Sequence, residues 1–139
     1  MAKIFMAEDD PLMIRMYERA FKTSGFELEL AFDGEEASNK LAKADLLPTA
    51  IILDVMMPKK NGFDVLKEVK QSEKLKQIPV VMLTNLAGAA DAKKAMDLGA
   101  AMYLVKSEHN PKEILEKIKE VLANAGKGGA TSTSPTPTT

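Results

Sequence analysis

The chain reads as an α/β domain, a doubly wound parallel sheet of five strands with five helices. Three observations predict it. Short apolar runs recur along the 139 residues, as in Lys3–Ala7, Ile51–Leu53, Pro79–Leu83 and Ala101–Val105, the pattern of strands buried on both faces. Helical periodicity separates the runs, which predicts βαβ units with helices on both faces. Each run also stops on a residue suited to phosphate or a divalent metal: Glu8-Asp9, Asp54, Thr84 and Lys106.

The elements follow in order. Strand one is the run into Glu8-Asp9-Asp10. Asp10 caps the first helix and Pro11 suits its first position; Met13, Met16, Tyr17, Ala20 and Phe21 mark its apolar stripe, and Gly25 is its stop. Strand two is expected at 27–31. Asp33-Gly34-Glu35-Glu36 opens a polar helix, with Glu36 placed for a capping box, that runs to about Ala44. Strand three is 50–53, and helix three runs from Gly62 to Ser72 with Phe63, Leu66 and Val69 on one face. Strand four is 79–83. Helix four, Gly88 to Leu98, is Ala-rich and stops at Gly99; strand five is 101–105. Helix five has the clearest signal. Asn110 caps it, Pro111 starts it, Glu113 completes a capping box, and Ile114, Leu115, Ile118, Val121 and Leu122 form the stripe.

Composition narrows the function classes. Apolar residues make up 45 % and charged residues 28 %, as in ordinary globular domains. Net charge is −1, so no overall basic field draws the chain to nucleic acid. Without cysteine there is no disulfide, thiolate metal site or cysteine nucleophile, which suits a cytoplasmic location. No apolar stretch nears the roughly 18 residues of a membrane span, and no signal peptide is read at the N-terminus. From Gly126 the residues are almost all Gly, Ser, Thr and Pro. A folded domain over 1–124 and a disordered tail over 125–139 are therefore expected.

In an open parallel sheet, chemistry collects at the carboxyl ends of the strands. The strand endings would bring three acids, a hydroxyl and an ammonium to one rim, a set able to hold Mg2+ and accept a phosphoryl group. Taken singly these residues would be a surface acid, a turn threonine and a solvated lysine; their placement at successive strand ends favours a site. Asp10 stays outside it as a helix cap.

Five separated features, Glu8-Asp9, Asp54 with Met57-Pro58 and Asn61-Gly62, Thr84, Tyr103 and Lys106, resemble the receiver domain of two-component response regulators, of the CheY-like kind. The resemblance covers residues 1–124. It implies a flavodoxin-like sheet in the order 2-1-3-4-5. It makes Asp54 the phosphoacceptor and Thr84 and Lys106 the groups that stabilise the transferring phosphoryl. It places Mg2+ on Asp9, Asp54 and the Met56 backbone carbonyl, with Glu8 acting through water. It makes Thr84 and Tyr103 the switch pair.

Two positions depart from the family pattern. Asn85 stands where a small residue usually follows the threonine, so it either restricts access or hydrogen-bonds the rim. Ser107 stands where proline usually follows the lysine, which leaves the geometry of the Lys106-Ser107 peptide open.

The resulting expectation is a stand-alone receiver in a phosphorelay. A histidine kinase or histidine phosphotransfer protein supplies the phosphoryl group. A target binds the face formed by helix four, strand five and helix five. The domain is a monomer or a weak phosphorylation-dependent dimer. It contacts neither nucleic acid nor membrane directly, and it assists only its own phosphorylation and dephosphorylation. One rival is an interaction module of the same fold that ignores phosphorylation. Another is a Mg2+-dependent aspartyl phosphohydrolase, which wants a second Asp where Met56 stands. His109, the one histidine, is expected at the surface, Lys59-Lys60 as a solvated pair, and the methionines, including Met13, Met16, Met82 and Met96, as core filler.

Overall fold

The structure, a computed structural model, describes residues 2–126. Strands β1 (Lys3–Ala7), β2 (Glu27–Ala31), β3 (Ala50–Leu53), β4 (Val80–Thr84) and β5 (Met102–Val105) alternate with helices α1 (Pro11–Thr23), α2 (Gly34–Lys43), α3 (Gly62–Gln71), α4 (Ala89–Asp97) and α5 (Pro111–Gly126). The strands form one parallel sheet in the order β2-β1-β3-β4-β5. No helix among the described residues is long and apolar enough to cross a membrane.

Strand alternation divides the core in two. Phe5, Ala7, Ile51, Leu53, Val80 and Met82 face one side, where they meet Leu41 of α2, Phe63, Leu66 and Val69 of α3 and Ala95 of α4. Ile4, Met6, Ile52, Val81, Leu83 and Leu104 face the other, against Tyr17 and Phe21 of α1 and Ile114, Ile118 and Val121 of α5. Each fully buried aliphatic or aromatic side chain contributes about 1.5–3 kcal/mol of transfer free energy, so both layers hold the rim in place.

The helix starts follow their capping residues. The Asp10 carboxylate accepts from Leu12 N–H at 3.0 Å, and Asp33 from Glu36 N–H at 2.7 Å. Glu36 reaches back one residue beyond the cap to accept from Phe32 N–H at 2.7 Å, and that bond leads the causes that hold its carboxyl below the usual range. At α5 the box is reciprocal: Glu113 N–H donates to Asn110 at 2.8 Å and Asn110 N–H to Glu113 at 2.9 Å. Gly25 and Gly99 turn the chain at positive φ, 86° and 104°, a region that costs an L side chain energy.

Four details correct the expectations. The buried stripe of α1 runs through Ile14, Tyr17 and Phe21, while Met16 is 45 % exposed and so is not core filler. Both patterns satisfy helical spacing; packing against the sheet chooses between them. Lys60 is half-buried and paired rather than freely solvated: its ammonium joins Ser38 of α2 at 3.0 Å and Glu68 of α3. Strand β4 includes Thr84, so that residue belongs to the ladder and not to the loop. Helix α5 continues through Gly126, two residues past the expected boundary; the rest of the expected tail, 127–139, lies outside the described residues.

Candidate functional site at the carboxyl rim of the sheet

The three central strands end side by side. β1 runs out at Ala7 into Glu8-Asp9, β3 at Leu53 into Asp54, and β4 at Thr84. The β1–β3 register pairs Ala7 with Leu53, and Asp54 N–H donates to Ala7 O at 3.2 Å. The sheet thereby sets Asp54 beside Glu8. Ligand oxygens of Glu8, Asp9 and Asp54 all lie within 4.8 Å of one another. Glu8 and Asp54 are buried and Asp9 is exposed.

Lys106 closes the group from β5. Its ammonium lies 2.7 Å from Glu8 Oε1 and 2.7 Å from Asp54 Oδ2. The remaining oxygens are also held: Glu8 Oε2 accepts from Asp10 N–H at 3.0 Å, and Asp54 Oδ1 from Met56 N–H at 3.1 Å. Burial pushes the Glu8 carboxyl up, and the hydrogen bond and charge of Lys106 offset this only in part. For Lys106, burial acts to lower the ammonium, but hydrogen bonds and charge from Asp54 and Glu8 outweigh it and leave it above the usual range. A desolvated ammonium between two carboxylates is favourable only while all three are present.

The loop after Asp54 is built tightly. Gly62 N–H donates to Val55 O at 2.9 Å, and a Cβ on Gly62 would fall 2.1 Å from the Asp54 carbonyl oxygen. Only glycine allows that approach. Lys59 takes φ 69°, the left-handed region that strains a non-glycine residue. Asn61 ends the loop by capping α3, accepting from Asp64 N–H at 3.0 Å. The Asn61-Gly62 pair thus has a physical job: it folds the loop back under the acid.

Thr84 is fully buried, and its hydroxyl accepts weakly from Leu86 N–H at 3.4 Å. Tyr103, half-buried, packs on the α2–α4 side of the sheet, and its hydroxyl donates to Leu86 O at 2.8 Å. Burial, with the charges of Asp91 and Asp54, pushes the Tyr103 phenol up to about 12. Met56 exposes its side chain and contributes its N–H to Asp54. His109 is half-buried, with Nδ1 4.0 Å from Glu113.

The structure therefore gathers Glu8, Asp9, Asp54, Met56 and Lys106 at one point, with Thr84 and Tyr103 joined through Leu86 beside it. Two features were legible only in part. Tyr17, read as stripe, has a buried hydroxyl with no hydrogen-bond partner among the described residues. Burial pushes that phenol up, and the charges of Glu8, Asp54 and Asp10 add to the effect. A tyrosine, with a hydroxyl to satisfy, inside an otherwise apolar stripe was the available signal. The second feature is a hydrogen bond from Ser107 N–H to Asn85 Oδ1 at 3.1 Å. Of the two expectations for Asn85, the rim hydrogen bond is the one observed. The Lys106-Ser107 peptide is trans, like every described peptide.

With this geometry in place, comparison with known proteins decides the family. The model of the response regulator receiver domain matches residues 4–119. The chain belongs to that family. It is 38 % identical over 122 residues to the transcriptional regulatory protein CpxR of Klebsiella pneumoniae, covering 88 % of this chain and 50 % of CpxR. The chain thus spans about half the length of the curated relatives it matches. Among solved structures, the chemotaxis response regulator CheY4 of Vibrio cholerae is 33 % identical with a TM-score of 0.79, covering 87 % of this chain and 98 % of CheY4. The Mn(2+)-bound response regulator Rcp1 is 30 % identical with a TM-score of 0.76, covering 96 % of this chain and all of Rcp1. The five-stranded order seen here is that of the CheY-like fold.

Proposed function

We propose that this receiver accepts a phosphoryl group on Asp54 and thereby switches the binding of a partner. One observation carries the reading. Asp54 sits at the end of the central strand with Lys106 at 2.7 Å and two further carboxylates within 4.8 Å. The donor is a phosphohistidine on a kinase or phosphotransfer protein. An Asp54 carboxylate oxygen attacks phosphorus, the P–O bond forms as the P–N bond breaks, and the leaving imidazole keeps the electron pair and takes a proton. Lys106 pairs with charge on the phosphoryl oxygens, and the Thr84 hydroxyl donates to another.

Hard oxygen donors and no nitrogen or sulfur ligand suit Mg2+. Asp9, Asp54 and the Met56 carbonyl would hold it, with Glu8 through water; the similar response regulator Rcp1 has a Mn(2+)-bound form, which supports a divalent ion in a receiver of this kind. When bound, the ion neutralises charge on the phosphoryl group and on the crowded acids. The fit has one condition: the Lys106 contacts to Glu8 and Asp54 rearrange as ion and phosphoryl enter.

Switching runs from the hydroxyl of Thr84. Drawing Thr84 toward the phosphoryl pulls on Leu86, whose carbonyl holds Tyr103. The α4–β5–α5 face then changes and binds its target. The organisation we propose is a receiver that closes with α5 at Gly126, acting in the cytoplasm with no direct contact to nucleic acid or membrane. Its chemistry is limited to its own phosphorylation and dephosphorylation.

Intact-mass measurement with acetyl phosphate and Mg2+ tests the acceptor. One phosphoryl group is expected on wild type and none on Asp54→Asn. Equal labelling of the two proteins removes Asp54 from the role.

A further inference from the structure

The β4–β5 ladder ends at the pair Thr84–Val105. Beyond it, strand pairing no longer sets where Lys106 lies. The chain there turns directly into one 3-10 turn, Lys106–Glu108. The first cross-link past the ladder is the hydrogen bond from Ser107 N–H to Asn85 Oδ1 at 3.1 Å. It joins the residue after Thr84 to the residue after Lys106. The next residue of the same loop, Leu86, is tied to Tyr103 on β5. The β4–α4 loop is thus fastened at two successive residues, Asn85 to the turn that follows β5 and Leu86 to β5 itself.

We propose that Asn85 is a positioning residue. Its side chain fixes the Lys106–Glu108 turn, and so the reach of the Lys106 ammonium to Asp54, through the Ser107 amide. Two chemical facts support the pairing. A proline at 107 has no N–H to give, and a small apolar residue at 85 has no acceptor, so each partner is useful only when the other is present. Both residues are exposed, where one neutral hydrogen bond adds little to global stability. Its value lies in geometry: Lys106 is a long flexible side chain whose useful placement depends on its backbone.

The inference deepens the reading of Asp54 as acceptor and rests on it for its rate readout. Asn85→Ala should slow labelling of Asp54 by acetyl phosphate at saturating Mg2+ by about two- to tenfold, the range set by one net hydrogen bond. Ser107→Pro also removes the N–H, but it disturbs the Lys106 backbone in its own right, so the informative comparison is conditional. In a Ser107→Pro background, Asn85→Ala should have no further effect. Equal factors in the two backgrounds, or a wild-type rate for Asn85→Ala, overturn the clamp.

A second readout does not depend on phosphoryl chemistry. By NMR, Asn85→Ala should speed exchange of the Ser107 amide and shift the Lys106 Nζ resonance. If wild type takes no label, the acceptor reading fails while these two signals still judge the clamp. An unmoved Lys106 Nζ signal overturns it, whatever the labelling rate.

Discussion

Helices α4 and α5 flank the same strand, β5, and are held in different ways. α5 begins with a reciprocal capping box between Asn110 and Glu113 and buries Ile114, Leu115, Ile118 and Val121. α4 begins at Gly88 with no side-chain cap and buries only Ala95. Its loop is fastened instead by polar contacts, from Tyr103 to Leu86 and from Ser107 to Asn85. Apolar burial falls off gradually with displacement and resists motion over the whole helix. A few directional hydrogen bonds at an exposed loop can be exchanged for others at little cost. The difference teaches which element is held less firmly: α5 is anchored by apolar burial, and on the proposed reading α4 with its loop is the element expected to move.

Truncation should expose the contrast most strongly. Ile118→Ala should cost about 2–5 kcal/mol in chemical denaturation, as buried isoleucines do, whereas Met96→Ala, half-buried on α4, should lose less than half as much. Equal losses would mean that α4 is packed as firmly as α5. Hydrogen exchange should give the next largest effect. Central amides of α4 should exchange at least about tenfold faster than those of α5, a gap of roughly 1.4 kcal/mol in opening free energy. Matching protection would end the comparison.

The caps sharpen it at smaller scale. Asn110→Ala should cost about 1 kcal/mol, and Gly88→Ser should gain only a few tenths. Space exists for the new side chain, since a Cβ at Gly88 would meet its nearest neighbour, Asp91, at 3.4 Å. If α4 is the moving element, Gly88→Ser should also alter the extent of the phosphorylation-dependent shift on the α4–β5–α5 face. A stability gain at Gly88 as large as the Asn110 loss would show that α4 was already limited by its cap.

Much of this was legible beforehand. The strand runs and the caps at Asp10, Asp33 and Asn110 are local signals, decided by residues within one turn, and the structure places them where the sequence indicates. The position of Asp54 at the end of β3 was legible for the same reason, but an acid closing one apolar run is by itself a surface acid; its candidacy rested on Glu8, Asp9, Thr84 and Lys106 closing the neighbouring runs. The stripe of α1 was not legible, because Met13–Phe21 and Ile14–Phe21 fit one period equally and only the sheet beneath selects. Nor was Lys60, since a charge pair in a loop gives no hint that Ser38 and Glu68 will stand around one of its ammonium groups.

By itself, the sequence determined the alternation of strands and helices, their caps and the strand-end residues, because periodicity and capping act within a few residues. Only the tertiary structure decided that Lys106 bridges Glu8 and Asp54, that Tyr103 is tied to Leu86, and that Asn85 meets Ser107. These partners lie 52, 17 and 22 residues apart in the chain for Lys106–Asp54, Tyr103–Leu86 and Ser107–Asn85. Parallel strand order, through burial of both faces of the sheet, is what brings them within a hydrogen bond of each other.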